Sequence, residues 1–196
     1  MNEVSAEPRR WLLLIYKVPQ QPAGRRTHVW RQLRQLGALY LQQAAALLPL
    51  QPATRRALDG LLDWIEEIGG EASLLETASP SESWERTMIA RFNRARDEEY
   101  AEIVENAERF EDEVARETRK GKFTFAELED LESDWEKLGR WFARVQARDF
   151  FATPGVRLAE AELERASAAL AAFTAMVAEQ EEVADAARTE QRDGIG

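Results

Sequence analysis

One short apolar run near the start constrains the fold of this chain more than any other segment. Residues 9–19 read Arg-Arg-Trp-Leu-Leu-Leu-Ile-Tyr-Lys-Val-Pro, with no alternation between apolar and polar positions. That pattern is typical of a strand covered on both faces or lying inside a sheet. The run is shorter than the roughly 20 apolar residues that span a bilayer. Lys17 follows it without a small-residue cleavage site, so we expect no secretory signal. Pro19 should end the strand near Val18.

A basic helix is predicted directly after this strand, beginning near Gly24 and ending near Gly37. Its apolar residues recur at helical spacing and form one stripe, which consists of Val29, Trp30, Leu33 and Leu36. The arginines of the segment lie mostly off that stripe. The pattern therefore predicts an amphipathic helix with a basic solvent face.

The segment from Gly37 to Leu50 can be interpreted in two ways from propensity alone. Its leucines, alanines and glutamines are good helix formers and would extend the first helix. Gly37 and Pro49 interrupt the segment, however, and its period is not clearly 3.6. The next elements are clearer: residues 52–69 have an amphipathic helical pattern, and residues 72–77 form a short strand candidate.

The rest of the chain has the pattern of helices with heptad-like apolar seams. Ser79 is predicted as the N-cap of the first of these helices, with Pro80 at N1 and Glu82 at N3. Thr124 with Glu127 predicts a capping box at the start of the second helix. The three seams are Tyr100-Ile103-Ala107-Phe110-Val114, Leu128-Leu131-Trp135-Leu138-Phe142-Val145 and Leu163-Ala166-Leu170-Phe173-Val177. Short breaks between helices predict an antiparallel bundle.

Charge is distributed unevenly along the chain. The net charge is −10, yet residues 1–60 carry nine Lys/Arg against three acidic residues. That gives residues 1–60 a net charge of +6 and leaves −16 for residues 61–196. The first third could therefore meet an anion or a nucleic-acid backbone, whereas the remainder would repel one.

The residue inventory argues against common catalytic and metal sites. The 196 residues include no cysteine, which excludes disulfides and cysteine nucleophiles, and only one histidine, His28. A Ser-His-Asp set or a zinc site finds no support in this inventory. We therefore predict a non-enzymatic protein with no cofactor and no metal, located in the cytoplasm and not in a membrane. The six tryptophans are mostly interpreted as core residues.

Several separated blocks resemble the N-terminal domain of ChrB-type chromate-resistance regulators. These blocks are Trp11 to Pro19, Arg25-Arg26-x-x-Val29-Trp30-Arg31, Gly37-Ala38, Leu47-Leu48-Pro49, Glu98-Glu99-Tyr100 and Arg148-Asp149-Phe150-Phe151 before Pro154. The resemblance covers nearly the whole chain. ChrB proteins usually carry a second, C-terminal domain, and we expect this chain to be a stand-alone counterpart of their N-terminal domain.

This resemblance implies an α+β fold: a ferredoxin-like βαββαβ unit followed by a three-helix antiparallel region. The resemblance implies that residues 38–42 and 45–50 form two paired strands. We expect a ferredoxin-like domain over 9–78, a helical bundle over 79–186 and a frayed tail over 187–196.

The same unit is also similar to a module of phenylacetate-catabolism repressors, which is related to a CRISPR spacer-acquisition nuclease. The metal-binding acidic residue that ends the first strand of that nuclease is replaced here by Lys17-Val18-Pro19. Nuclease activity is therefore not implied.

The basic residues of the first third are the best candidates for an anion-binding surface. Four lie on the first helix and two open the second: Arg25, Arg26, Arg31, Arg34, Arg55 and Arg56. The second pair lies in a first helical turn, where unpaired backbone amides also favour an anion. We expect these side chains to contact nucleic-acid phosphates or an oxyanion such as chromate. The alternative is that they solubilise helix faces and pair with acidic residues of the same chain.

A charge cluster interrupts the first helical seam. Its candidate members are Arg91, Arg94, Arg96, Asp97, Glu98, Glu99, Arg148 and Asp149. A structural salt-bridge network that fixes helix register is the favoured interpretation, and a ligand pocket is the alternative.

Two functional hypotheses from different classes follow. The first is a transcriptional regulator linked to chromate or oxyanion resistance, with DNA and chromate as partners and electrostatic DNA contacts. The second is a protein–protein adaptor or dimerisation module that touches no DNA, suggested by the acidic, heptad-rich helices. A homodimer is expected under either hypothesis.

Overall fold

A computed structural model of the chain describes residues 8–21 and 23–193. Its strands and helices are, in chain order, β1 (Arg10–Lys17), α1 (Arg25–Gln35), β2 (Leu39–Gln42), β3 (Ala45–Pro49), α2 (Pro52–Glu67), β4 (Glu71–Ala78), α3 (Glu82–Lys120), α4 (Phe125–Gln146) and α5 (Gly155–Asp193). The chain divides into two compact units. The first contains residues up to 94 together with 148–151, and the second contains 95–147 with the residues from 152 onward.

The first unit is built on an antiparallel sheet with the strand order β2-β3-β1-β4. Elements β1 to β4 with α1 and α2 form the βαββαβ arrangement of the ferredoxin-like fold, so the predicted fold class is confirmed. The ambiguous segment folds as the hairpin of β2 and β3, with an irregularity in register between Tyr40 and Gln42. Local helix propensity there is overridden because the hairpin places its alternate side chains in the core.

Each face of the sheet is covered by a different set of side chains. On one face, Leu12, Leu14 and Tyr16 of β1 pack with residues of α1 and α2 in a single core. On the other face, the fully buried Trp11 stacks with Phe92 of α3, with 5.9 Å between ring centroids. The central strand β1 is thus covered on both sides along much of its length, as its unbroken apolar run predicts.

The second unit is a three-helix region with one shared core. Tyr100 of α3 meets Phe142 of α4, and further along α3 Phe110 meets the earlier residue Trp135, so these helices run antiparallel. The predicted seams of all three helices supply the core, although Trp135 and Phe142 are only partly buried. At the other end of the bundle Phe123 packs against Phe173 of α5. No helix in residues 8–21 and 23–193 is long and apolar enough to cross a membrane.

Three local predictions need correction or qualification. The N-cap of α3 is Ser81 rather than Ser79, because the Ser81 hydroxyl accepts the Trp84 amide at 3.2 Å. Ser79 instead bonds the indole of Trp11, a contact that local spacing does not reveal. Trp30 does not join the buried stripe of α1, since 44% of it is exposed. Helix α5 continues to Asp193; the fraying predicted from residue 187 stays a prediction, and residues 194–196 lie outside the described part.

Candidate functional site

The solvent face of α1 carries a row of arginines with no acidic neighbour on the helix. Arg26, Arg31 and Arg34 are exposed, and the eleven residues of α1 include no Asp or Glu. Arg56 on α2 is also exposed. None of these four forms an ion pair with an acidic residue in the described part of the chain. Their charge is therefore available to an external anion.

Arg25, another of the predicted anion-binding residues, makes hydrogen bonds within the fold. Its Nη1 donates to the backbone carbonyl of Gln21 at 2.9 Å and to that of Ile68 at 3.1 Å. Ile68 is the C-cap of α2, where a cation also faces the negative end of the helix dipole. The side chain thus ties the start of α1 to the end of α2.

Arg55 is likewise engaged within the fold. Its Nε donates to Asp59 at 2.9 Å, and its Nη1 pairs with the Glu76 carboxylate of β4. Glu76 also pairs with Arg10 of β1 at 2.9 Å. Arg55 therefore already pairs with two carboxylates. Of the two arginines predicted at the start of α2, only Arg56 is exposed without an ion pair to a described residue.

A pocket opens beside this arginine row, between α1 and the edge hairpin. Two adjoining cavities, of about 250 and 360 Å³, share Arg26, Trp30, Tyr40 and Gln43. We call the combined cavity the aromatic pocket; its lining residues are Tyr16, Arg26, Thr27, Trp30, Tyr40, Gln42 and Gln43. The lining contains aromatic rings, two amides and one guanidinium but no carboxylate. Such a surface suits a planar ligand that carries negative charge.

Two tyrosines from neighbouring regions of the sheet meet in the pocket. The hydroxyls of Tyr16 on β1 and Tyr40 on β2 lie 3.2 Å apart, within hydrogen-bond distance. Burial raises the pKa of the Tyr40 phenol well above its usual range, and the hydrogen bond to Tyr16 acts in the same direction. Tyr40 therefore stays protonated at neutral pH and keeps a neutral O–H. The backbone carbonyl of Tyr40 accepts a hydrogen bond from Arg91 Nη2 at 3.0 Å, and this bond anchors the edge strand β2.

Trp30 connects the arginine row with the pocket. The Arg34 guanidinium lies 5.3 Å from the centroid of the Trp30 ring, a cation–π contact one helical turn along α1. The same ring lines the aromatic pocket. Sequence reasoning missed this role by assigning Trp30 to the core. The available signal was its position four residues from both Arg26 and Arg34, which places it on their face of the helix.

The residues predicted as a charge network have several distinct positions. Arg91 reaches the edge strand, whereas Asp97 accepts the backbone N–H of Gly155 at 3.0 Å and so satisfies the first turn of α5. Arg96 lies 3.5 Å from Glu99, one turn away on the same helix. Arg94, Glu98, Arg148 and Asp149 also interact with other groups. A single network joining all of them stays a prediction.

Three further observations bear on possible chemistry. His28, the single histidine of the sequence, is exposed. It packs against Trp64, with 4.2 Å between the ring centroids. In residues 8–21 and 23–193 no group of three His, Cys, Asp or Glu side chains is placed to hold a metal ion. A groove of about 580 Å³ lies between α3 and α4, but its lining includes both basic and acidic side chains, with Lys137 paired to Asp134 at 2.7 Å.

Comparison with known proteins agrees with the resemblance of the sequence blocks to ChrB-type proteins. The chain is 27% identical over 165 residues to "Protein ChrB" of Cupriavidus metallidurans strain CH34, a match that covers 84% of this chain and 47% of that protein. The chain thus spans about half the length of this curated relative. No solved structure matches the chain significantly. The family described as "Protein ChrB, N-terminal" matches residues 26–184. The chain belongs to this ChrB N-terminal family.

Proposed function

We propose that this chain is a non-enzymatic regulatory protein of a chromate- or oxyanion-resistance system that binds DNA through phosphate contacts. Membership of the ChrB N-terminal family supports the resistance context. The observation that carries DNA contact is the row of exposed arginines on α1, namely Arg26, Arg31 and Arg34, without an acidic residue on the helix. Arg56 adds a fourth exposed cation on α2.

The chemistry of the row fits a polyanionic backbone. Arg26 and Arg34 are eight residues apart, so their positions are separated by about 12 Å along the helix axis. A row of that length can contact successive phosphates along one groove edge. Each phosphate neutralised releases condensed counterions, so the logarithm of affinity should fall with the logarithm of salt concentration by about 0.9 per contact.

The direct test is fluorescence anisotropy with duplex DNA from upstream of the chain's own gene and with a scrambled duplex, across a salt series. The double variant R31E/R34E should abolish binding or lower the salt slope by about two. The matched control is R119E/R157E, which makes the same charge change at two exposed arginines of the helical unit. Equal binding by the two double variants would contradict the phosphate-contact mechanism.

The response to chromate is tested in the same experiment. Release of the specific duplex by chromate, with no release from the scrambled duplex, would support a regulator that senses the oxyanion by itself. Tight binding that chromate does not change would place the sensor on another domain or protein. No binding at low salt, where phosphate contacts are strongest, would favour the second candidate function.

The second candidate is an adaptor or homodimerisation module, and a small apolar patch on the sheet favours it. Leu13 pairs with Leu75 across β1 and β4, and the next residue on that face of β1 is Ile15. Leu75 is 49% exposed and Ile15 is 44% exposed. Sedimentation equilibrium of the wild-type chain and of I15S/L75S tests this: a wild-type dimer that the double variant converts to monomer would support it, whereas a wild-type monomer at high concentration would oppose it.

A further inference from the structure

We infer that the aromatic pocket binds a nucleotide, with the base beside Trp30 and Tyr40 and the phosphate at Arg26 and the first turn of α1. This goes beyond duplex binding, because phosphates on the outside of a double helix require no cavity. It assigns the pocket its own ligand, whether a free mononucleotide or one unpaired nucleotide of a strand.

The ring-binding part of the pocket is built from exposed and buried aromatics together. Trp30 is 44% exposed yet lines both cavities, so its indole has a surface on which a base can stack. The Arg34 guanidinium packs over the same indole, 5.3 Å from its ring centroid. Stacking on an aromatic side chain is available to any base because every base has a π-face.

The polar groups of the pocket match the edge of a base. Gln42 and Gln43 at the hairpin turn each offer an amide donor and an amide acceptor, and both are exposed at the pocket. The hydroxyls of Tyr16 and Tyr40 already face each other at 3.2 Å, and each can still accept or donate one further bond. An irregular register between Tyr40 and Gln42 turns these edge-strand side chains relative to a regular ladder.

The anion-binding part of the pocket lies at the start of α1. Arg26 and Thr27 line the cavity and belong to the first turn of the helix. That turn has no side-chain cap and no acidic residue, and Gly24 precedes it with φ of 100°. The backbone amides of a first turn point outward and favour a phosphate, and here the Arg26 guanidinium adds a full positive charge beside them.

The size of the cavity argues against a small inorganic oxyanion as the complete ligand. Volumes of about 250 and 360 Å³ lie at the lower end of small-molecule sites, which suits one or two fused rings. A tetrahedral oxyanion at Arg26 would leave the aromatic end of the pocket empty. A nucleotide fills both ends because its ring and its charge are separated by a sugar.

The test uses AMP as the probe, followed by isothermal titration calorimetry and by the indole N–H signal of Trp30 in ¹H–¹⁵N NMR. We expect AMP to shift this signal at millimolar concentration. Trp30→Ala should weaken AMP binding about tenfold, in the range that base–aromatic stacking contributes. Arg26→Ala should weaken it by a similar factor, whereas Arg31→Ala, on the same helix but outside the pocket, should change it less than twofold.

The matched arginine variants also separate this inference from the proposed function. Duplex DNA binding should be weakened by Arg31→Ala and Arg26→Ala alike, whereas AMP binding should respond only to Arg26→Ala. A chain that binds duplex DNA but not AMP would overturn the pocket assignment alone. A chain that binds AMP with the expected variant pattern but no duplex would overturn only the phosphate-contact mechanism.

Titrations with further ligands identify the source of the nucleotide and give a second test that could overturn the pocket assignment. If a short single-stranded oligonucleotide shifts Trp30 with the same dependence on Arg26, the source is a strand; if only AMP does so, the source is a free nucleotide. Either result supports the pocket. Inorganic phosphate or chromate that shifts Trp30 as strongly as AMP at equal concentration, or AMP affinity unchanged in Trp30→Ala, would overturn it.

Discussion

The indole nitrogen of Trp11 lies 2.8 Å from the hydroxyl of Ser79, which is 68 residues further along the chain. The Ser79 hydroxyl in turn donates to the carboxylate of Glu85 at 2.5 Å. Glu85 also accepts the backbone N–H of Arg9 at 3.2 Å. This chain of hydrogen bonds joins the start of β1, the residue after β4 and the first turns of α3, so it closes the ferredoxin-like unit at one end.

Ser79→Ala should therefore destabilise the chain by about 1–3 kcal/mol. Trp11 is fully buried, so its N–H would lose its partner without gaining water, and an unsatisfied buried donor costs about that amount. Chemical denaturation followed by tryptophan fluorescence measures the change. The control is Ser73→Ala on the exposed part of β4, which should stay within about 0.5 kcal/mol of the wild type. Equal midpoints for the two variants would show that the Trp11–Ser79 bond contributes little.

The same hydrogen bonds should make stability depend on acid pH. The Ser79 hydroxyl holds the pKa of Glu85 below its ordinary value, with the Arg9 contacts adding to the effect against the opposing influence of burial. A carboxyl whose folded-state pKa is depressed stabilises the fold fully above its unfolded pKa and loses that contribution as pH falls through the folded pKa. The wild type should thus be more stable than Glu85→Gln at neutral pH.

The measurement is the free energy of unfolding of both proteins from neutral pH down to about pH 3. The difference between them should be constant at neutral pH and should shrink below about pH 4.5, near the unfolded pKa of a glutamate. A difference that grows on acidification would have the wrong sign for a depressed pKa and would contradict the assignment.

Local pattern was enough to predict most of the secondary structure. The apolar run around Leu12 and Leu14 indicated a covered strand. The apolar residues spaced three and four apart from Tyr100 onward indicated a packed helix. Both sets of residues are buried as expected. The β2–β3 hairpin could not be derived in that way, because its sequence has high helix propensity and its strand conformation depends on pairing with β1. The resemblance to ChrB supplied that assignment.

The site was harder to predict because its parts are distant in sequence. Local spacing marks Arg25 and Arg26 as equivalent, yet only the tertiary position of Ile68 turns Arg25 inward to a backbone carbonyl. The aromatic pocket likewise needs Tyr16 and Tyr40 from two different strands to meet. Periodicity describes one element at a time, so it does not reveal which side chains of separate elements converge.

Two glycines near α2 should respond in opposite directions to alanine. A Cβ at Gly70 would lie 2.7 Å from the carbonyl oxygen of Lys17 and 2.9 Å from that of Ile65, and neither backbone can easily move. Gly70→Ala should therefore destabilise by about 1–3 kcal/mol, as overpacking does. Gly60 lies within α2 with no atom within 4 Å of such a Cβ, so Gly60→Ala should stabilise by about 0.5–1 kcal/mol. Thermal unfolding of the two variants checks both signs, and a destabilised Gly60→Ala would contradict the open environment.

Arg25 and Arg26 provide the sharpest separation of folding from binding. Arg25 donates to the carbonyl of Ile68 at 3.1 Å and to that of Gln21 at 2.9 Å, whereas Arg26 is exposed beside the aromatic pocket. Arg25→Ala should lower the free energy of unfolding by about 1.5–3 kcal/mol, the usual value for hydrogen bonds from a charged group. Arg26→Ala should lower it by less than about 0.5 kcal/mol, as expected for an exposed position.

Binding should show the reverse order. At a temperature where both variants are folded, Arg26→Ala should weaken duplex DNA binding and reduce its salt slope by about one, because one phosphate contact is lost. Arg25→Ala should leave the slope unchanged, since the Nη1 of its guanidinium already donates to two backbone carbonyls. Denaturation curves and anisotropy on the same two proteins test the pair together. A larger loss of DNA affinity from Arg25→Ala than from Arg26→Ala would show that the residue bound to the end of α2 also reaches the nucleic acid.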